Sequence, residues 1–264
     1  MHRRPPPLFR TPHPRQRGVA LFVVIVFVML SMLLALWGAR TALFNEMVVG
    51  NDADYQRAFE AAQALLQDAE LDIRGESADG NPCEPDASNE NICRQKAGMA
   101  QIPLEAQEVG LLLADLDGKT TKCSDGLCIK RSGSQDFWNN KDEVKGITLA
   151  QMTGANEDGT PAGARYGQYT GARLGSTDAP ANPILAATEG DRGGWYWVEV
   201  LPYDESSKSS GLITSEDGAI SNANLLPMNL LPSVVYRITA LAHGHKPSTL
   251  VVLQQTYGQQ RRKD

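Results

Sequence analysis

From Val19 to Ala39 the chain runs through 21 residues, VALFVVIVFVMLSMLLALWGA, without one charged side chain. At about 1.5 Å of helical rise per residue, such a run covers the roughly 30 Å hydrocarbon core of a bilayer, which makes a membrane-spanning helix the first expectation. Residues 1–18, in front of it, hold five arginines, five prolines and no acidic residue. They are expected to stay unfolded, and the positive-inside rule is expected to put them in the cytoplasm and the rest of the chain on the far side of the membrane. A secretory signal peptide has an apolar core of only about 7–15 residues followed by a small-residue cleavage site. The run here is longer and no clean site follows it.

Behind the apolar run the pattern changes without a break. Tyr55, Ala58, Phe59, Ala62, Leu65, Leu66, Ala69 and Ile73 recur at steps of three and four, which describes one apolar helical face. Gln56, Arg57, Glu60, Gln63, Gln67, Asp68 and Asp72 fall mostly off that face, and no proline occurs between Val19 and Ile73. A single helix of roughly 80 Å is therefore expected, its first half suited to lipid or to a bundle of similar helices, its second half needing a folded domain against its stripe. Gly38 and Gly50 are its weak points, each costing about 1 kcal/mol relative to alanine.

A glycine separates the basic leader from the apolar run, in Arg15-Gln16-Arg17-Gly18-Val19-Ala20-Leu21. This junction resembles a type IV prepilin, in which a dedicated peptidase cuts after the glycine and methylates the new amino terminus. The resemblance implies cleavage between Gly18 and Val19 and N-methylation of Val19. Gln16 to Leu21, Asn51, and Ala58-Phe59-Glu60-Ala61-Ala62-Gln63 running to Asp68-Ala69-Glu70 narrow the resemblance to PilX-type minor pilins of the type IV pilus. Major pilins carry a glutamate at the fifth mature position that pairs with a neighbouring subunit's amino terminus. Val23 occupies that place here. A carboxylate at membrane depth is costly without a partner, so its absence fits a subunit with no neighbour above it, at a filament tip. The tip minor pseudopilin of type II secretion shares this feature.

With residues 1–18 removed, 246 residues remain, and the formal charge of −6 becomes −11 because the leader carries +5. Such a balance argues against nucleic acid as a partner. Cys83, Cys93, Cys123 and Cys128 all lie in the outward-facing portion, where an even count reads as disulfides. Of three possible connectivities, Cys83–Cys93 with Cys123–Cys128 is favoured because each pair is close in sequence and Ser124-Asp125-Gly126-Leu127 supplies a turn. A four-cysteine zinc site is the rival, although neither spacing is the two-residue knuckle such sites prefer.

Residues 74–101 are rich in Gly, Asp, Asn, Ser and Pro and read as a surface loop stapled by Cys83–Cys93. Leu111-Leu112-Leu113 begins a short element, and Asp115-Leu116-Asp117-Gly118 reads as a polar turn rather than a calcium loop. Residues 136–191 show little apolar alternation and no clear helix or strand, and such long irregular stretches are usually functional or mobile. Strands are expected near 194–201 (from the Trp195-Tyr196-Trp197 run), 234–242 and 248–257, the last two joined at His243-Gly244-His245-Lys246-Pro247 as an antiparallel hairpin. Between them, residues 203–232 read as a loop in which Leu225-Leu226 and Leu230-Leu231 fold back on the domain.

Tyr236-Arg237-Ile238-Thr239-Ala240, the glycine-containing turn, Thr249, Val251 to Gln254 and Tyr257 also resemble the terminal strands of PilX-type proteins. The fold class expected is α+β and pilin-like: a leader at 1–18, a helix at 19–74 spanning the membrane at 19–39, and a periplasmic head at 75–264 with a loop-rich insertion. The resemblance further implies an inner-membrane subunit that joins other minor pilins to prime pilus assembly and sits at or near the tip, supporting twitching motility and adhesion. Its implied partners are those minor pilins, a PilY-type tip adhesin, the prepilin peptidase and the inner-membrane assembly platform.

For chemistry the chain offers little. His243 and His245 could share one face, but two ligands with no carboxylate or cysteine nearby make a poor metal site, so both read as solvated turn residues. No nucleophile motif, phosphate loop or supported carboxylate pair is present, and no cofactor is expected. A single-pass periplasmic receptor or enzyme accounts for Val19–Ala39 but not for the glycine junction or the amphipathic continuation.

Overall fold

The computed structural model describes residues 19–131, 136–176, 181–202 and 234–259. The first helix, α1, runs from Val19 to Arg74. The chain forms two units, Met1–Gly50 and Asn51–Asp264, whose boundary falls within that helix.

In the first unit the helical residues from Val19 onward leave their large apolar side chains open, Leu21 and Phe22 each 67% exposed and Trp37 70%. The two hydroxyls in this stretch are hidden against the helix itself. Ser31 Oγ donates to the Phe27 carbonyl at 2.7 Å and Thr41 Oγ1 to that of Trp37 at 3.0 Å. A polar group satisfied four residues back within its own helix needs no water, which suits a surface meant for lipid or for other helices.

The second unit is built on a five-stranded sheet of order β1-β2-β3-β4-β5. Its long strands are β3 (Gly194–Pro202), β4 (Val234–His243) and β5 (Leu250–Tyr257), with β4 antiparallel to both β3 and β5. They follow the aromatic and β-branched runs closely, extending one residue further at the ends of β3 and β4 and beginning two residues later in β5. The short strands β1 (Cys123–Ser124) and β2 (Leu127–Cys128) form a hairpin whose second arm lies parallel to β3. Asp125 and Gly126 hold φ values of 52° and 79° at its corner. Two consecutive left-handed residues are the conformation that an Asp-Gly pair favours in a two-residue hairpin.

One face of the sheet packs on the carboxyl half of α1. Ala58, Ala61, Ala62, Leu65 and Ala69 are fully buried there with Tyr196, Val198, Val200, Tyr236, Ile238 and Ala240. The small alanines let helix and sheet approach closely, and Gly194 makes room for Leu65, whose Cδ1 would lie 2.5 Å from a Cβ at that position. Tyr55, expected in the stripe, is 48% exposed instead, because the buried arc of the helix runs through Asp54 and Ala58.

The other face is not left to solvent. Trp195, Trp197 and Leu241 bury against Phe137, Met152, Ala162 and the Cys123–Cys128 bridge, and Thr239 is wholly buried. The loop-rich insertion therefore covers this face with a second, smaller core cluster, which the lack of apolar alternation in residues 136–191 does not reveal. Its regular pieces are α2 (Ala106–Asp117), in which Leu111–Leu113 lie mid-helix rather than at a start, and the short α3 (Leu149–Thr153), opened by a Thr148–Gln151 capping box. Asp115 to Gly118 is the end of α2 and its cap. Residues 203–232, read as a loop folding back, lie outside the described residues.

Both disulfides are present in the sequential pairing, Cys83–Cys93 and Cys123–Cys128. The first closes the loop that delivers Arg94 to the core. Its replacement by two serines is expected to lower stability by about 2–3 kcal/mol, the chain entropy of a loop this short, in urea unfolding of the full chain in detergent. No change in the midpoint would contradict a stabilising role for this bridge.

Candidate functional site: an exposed apolar helix and the carboxylates that seat its second half

The candidate functional surface begins at Val19, the first residue of α1, and includes Val23, 43% exposed. Gly18 lies outside the described residues. The stretch is long and apolar enough to cross a membrane, and none of it is buried in the protein.

The second half of α1 is held by three aspartates as well as by its apolar stripe. Asp54, Asp68 and Asp72 are 2%, 2% and 7% exposed, although the last two were expected off the buried face. The signal was in the sequence: Asp54, Ala58, Ala61, Leu65, Asp68 and Asp72 follow one another at steps of four, three, four, three and four. They share the apolar face, and each must therefore find a partner in the domain.

Asp54 meets the β4–β5 turn. It accepts hydrogen bonds from the backbone N–H groups of His245 and Lys246 at 2.8 and 3.1 Å, while Lys246 Nζ reaches Asn51. Burial opposes its charge, but the Thr249 hydroxyl and those two backbone donors outweigh it and hold the carboxyl below its usual range. Asp68 accepts from the Gly167 N–H at 2.7 Å and from the Thr170 hydroxyl.

Asp72 forms the centre of the joint. Arg94 meets it with two parallel bonds, Nε to Oδ1 at 2.9 Å and Nη2 to Oδ2 at 2.6 Å, and the Tyr196 hydroxyl donates to Oδ2 at 3.0 Å. Arg94 Nη1 donates to the Ala100 carbonyl, and the guanidinium lies 3.8 Å over the Tyr169 ring. Both side chains of the pair are 4% exposed. Such a pair is worth little over an apolar substitute but is expensive to break, because the survivor stays buried and uncompensated.

On the opposite face Glu199, 1% exposed, accepts from Arg237 Nε and Nη2 at 2.5 and 2.7 Å and from Arg131 at its backbone N–H and Nη2. Burial raises the cost of its charge, and the two arginines more than compensate, leaving its pKa lowered.

Asp68 behaves differently. Burial dominates over its two hydrogen-bond donors, Asp72 adds repulsion, and its pKa rises from 3.8 to about 6. A carboxyl with a raised folded pKa binds protons more strongly when folded, so its contribution is fully present below about pH 4 and is lost as pH rises through 6. Asp68→Asn is expected to remove a stability slope on the order of 3 kcal/mol between pH 4 and 7. Parallel slopes for the two proteins would contradict this.

The histidines are not brought together. His243 ends β4 half-buried, its ring edge-on to Trp195 at 5.8 Å and its Nε2 buried without a hydrogen-bond partner among the described residues, which corrects its reading as a solvated turn residue. Burial lowers its pKa. His245 is exposed, as expected of a turn. Among the described residues no group of three or more His, Cys, Asp or Glu side chains could hold a metal ion.

The first half of α1 is thus an exposed apolar helix, and its second half seats a disulfide-stapled sheet domain. The family model of the type IV pilus assembly protein PilX, carboxyl-terminal part, matches residues 113–259. The chain belongs to the PilX family. The model of the PilX N-terminal region matches residues 17–67, which takes in the apolar run and most of the buried stripe. No significant match is found among curated proteins or among solved structures. For a PilX-family minor pilin of the type IV pilus, the aspartates of α1 and Arg94 are the residues that join helix to head, and the 17–67 match includes Asp54 but ends before Asp68.

Proposed function

We propose that the chain is an inner-membrane minor pilin, cut after Gly18 and N-methylated at Val19, that joins other minor pilins to prime type IV pilus assembly and remains at or near the filament tip. Val19–Ala39 spans the membrane before assembly and lies in the helical bundle afterwards. Residues 75–264 form the periplasmic head. A PilY-type adhesin, the prepilin peptidase and the inner-membrane assembly platform are its further partners, and twitching motility and adhesion are the outputs it supports.

The observation that carries this reading is the division of labour along α1, fully open before Gly50 and buried along one arc from Asp54 to Ile73. Val23 supports the tip position, since an apolar residue there asks for no partner above it. A clean deletion is expected to lose most surface pili and twitching, both restored by the gene in trans, while exoproteins are still secreted. Normal piliation would contradict the reading, and retained exoproteins would favour the tip pseudopilin of a type II secretion system.

A further inference from the structure

The sheet has two edges, and they are treated differently. At one edge β1 is two residues long, stapled by Cys123–Cys128, and its backbone is already capped. The Cys123 carbonyl accepts from Thr121 Oγ1 at 3.1 Å and Asn156 Nδ2 at 2.9 Å, and the Asp125 N–H is taken by the Pro161 carbonyl at 2.7 Å. At the other edge β5 pairs with β4 through eight consecutive residues without a bulge, and among the described residues no strand pairs with its outer side.

Natural edge strands are usually shielded by a charge, a proline or a bulge. Leu250-Val251-Val252-Leu253-Gln254-Gln255-Thr256-Tyr257 has none of these. Its apolar side chains are also only half covered, Leu250 and Val252 on one face of the sheet, Leu253 and Tyr257 on the other.

Which backbone groups face outward follows from the ladder. The His243 N–H bonds to the Gly193 carbonyl and the Gly244 N–H to the Thr249 carbonyl, each at 2.9 Å, so His243 turns its amide toward β3 and its neighbours alternate from there. Val251, Leu253, Gln255 and Tyr257 therefore bond to β4. Leu250, Val252, Gln254 and Thr256 present their N–H and C=O groups to the outside.

We infer that this edge is a docking site for an extended strand of another pilus subunit, which continues the sheet beyond β5 and covers the half-open apolar side chains on both faces. The inference rests on the proposed role as one pilin among several. A second copy of this chain does not serve, for two reasons. The capped β1 edge offers no backbone for a copy to pair with. A twofold β5–β5 contact reverses the two α1 helices, because α1 runs alongside β5 in the same sense, from Asp54 at the His245 turn to Glu70 beside Gln255. Helices so reversed cannot share one membrane orientation.

The test uses the full chain in detergent, alone and mixed with each of the other minor pilins of the same pilus, with amide hydrogen exchange read residue by residue. Alone, the amides of Leu250, Val252, Gln254 and Thr256 exchange fast and those of Val251, Leu253 and Gln255 slowly. With one of the subunits the outward set slows at least tenfold. Gln254→Pro removes an outward backbone donor, together with the side-chain bond from Gln254 Nε2 to Thr239 Oγ1, while leaving every backbone bond to β4 in place, and the double variant Gln254→Lys with Thr256→Lys charges the edge without proline. Both abolish the slowing, with the inward amides unchanged. Slow outward amides in the chain alone overturn the proposal, as does a subunit that binds both variants like the parent, or the absence of slowing with every subunit. If the deletion removes pili while the Gln254→Pro strain assembles them normally, strand addition fails and the minor-pilin reading stands. If the deletion leaves pili intact, both fall.

Discussion

Replacing Arg94 by alanine is expected to destabilise the head by about 3–5 kcal/mol, the usual cost of stranding one member of a buried pair. Asp72 then keeps only the Tyr196 hydroxyl among its donors, in a site where 4% of its side chain meets solvent. In a domain of this size such a loss lowers the thermal midpoint by roughly 10 °C or more. Asp72→Ala should cost as much, because it leaves the guanidinium buried over Tyr169. The paired change Asp72→Leu with Arg94→Met removes both charges together and is expected to recover most of the loss. A thermal melt of the full chain in detergent checks all three, and an Arg94→Ala midpoint within a degree or two of the parent would show that the pair does not seat the helix.

The second large effect lies at Leu65. It is fully buried between Gly194 and the Ala61–Ala69 stripe, so Leu65→Asp places an unpaired charge in the apolar centre of the joint. Loss of the folded head is expected, seen as loss of near-ultraviolet circular dichroism and rapid proteolysis beyond Gly50. Leu65→Ala, which only leaves a cavity, should cost about 2–5 kcal/mol and keep the fold. Phe59→Asp should be milder than Leu65→Asp, since Phe59 lies at the margin of the core and is only partly buried. A Leu65→Asp head that melts like the parent would rule out the helix-on-sheet packing.

These two sites show what could be read from the sequence and what could not. The helix, its apolar stripe, and strands β3, β4 and β5 were legible because each is a long run with one dominant period. Asp68 and Asp72 fall on the buried face rather than off it, because position along the helix outweighs their charge, and their spacing continues the stripe without a break. Arg94 was beyond sequence reasoning. It lies in a loop without periodicity, and tertiary contacts such as the Cys83–Cys93 closure and the Cys93 N–H bond to the Tyr169 carbonyl help place its side chain beside Asp72.

The second layer of the core was missed for a related reason. Phe137, Met152 and Ala162 are scattered among glycines and polar residues, and they bury against Trp195 and Trp197 from turns and from the five-residue α3, too short to carry a visible period. Composition marks such a stretch as loop and is silent on what the loop covers. The β1–β2 hairpin was within reach, since Asp125-Gly126 between two cysteines is a strong short-range signal. Its strands escape a sequence pattern because two residues carry no period.

The account as a whole stands on processing at the glycine junction. Intact-mass and amino-terminal analysis of the protein, taken from membranes of cells with and without the prepilin peptidase, tests it most directly. The predicted result is a chain beginning at N-methylated Val19 only when the peptidase is present. A chain that keeps residues 1–18 in both strains would contradict the filament role, and the apolar helix would then be an ordinary membrane anchor.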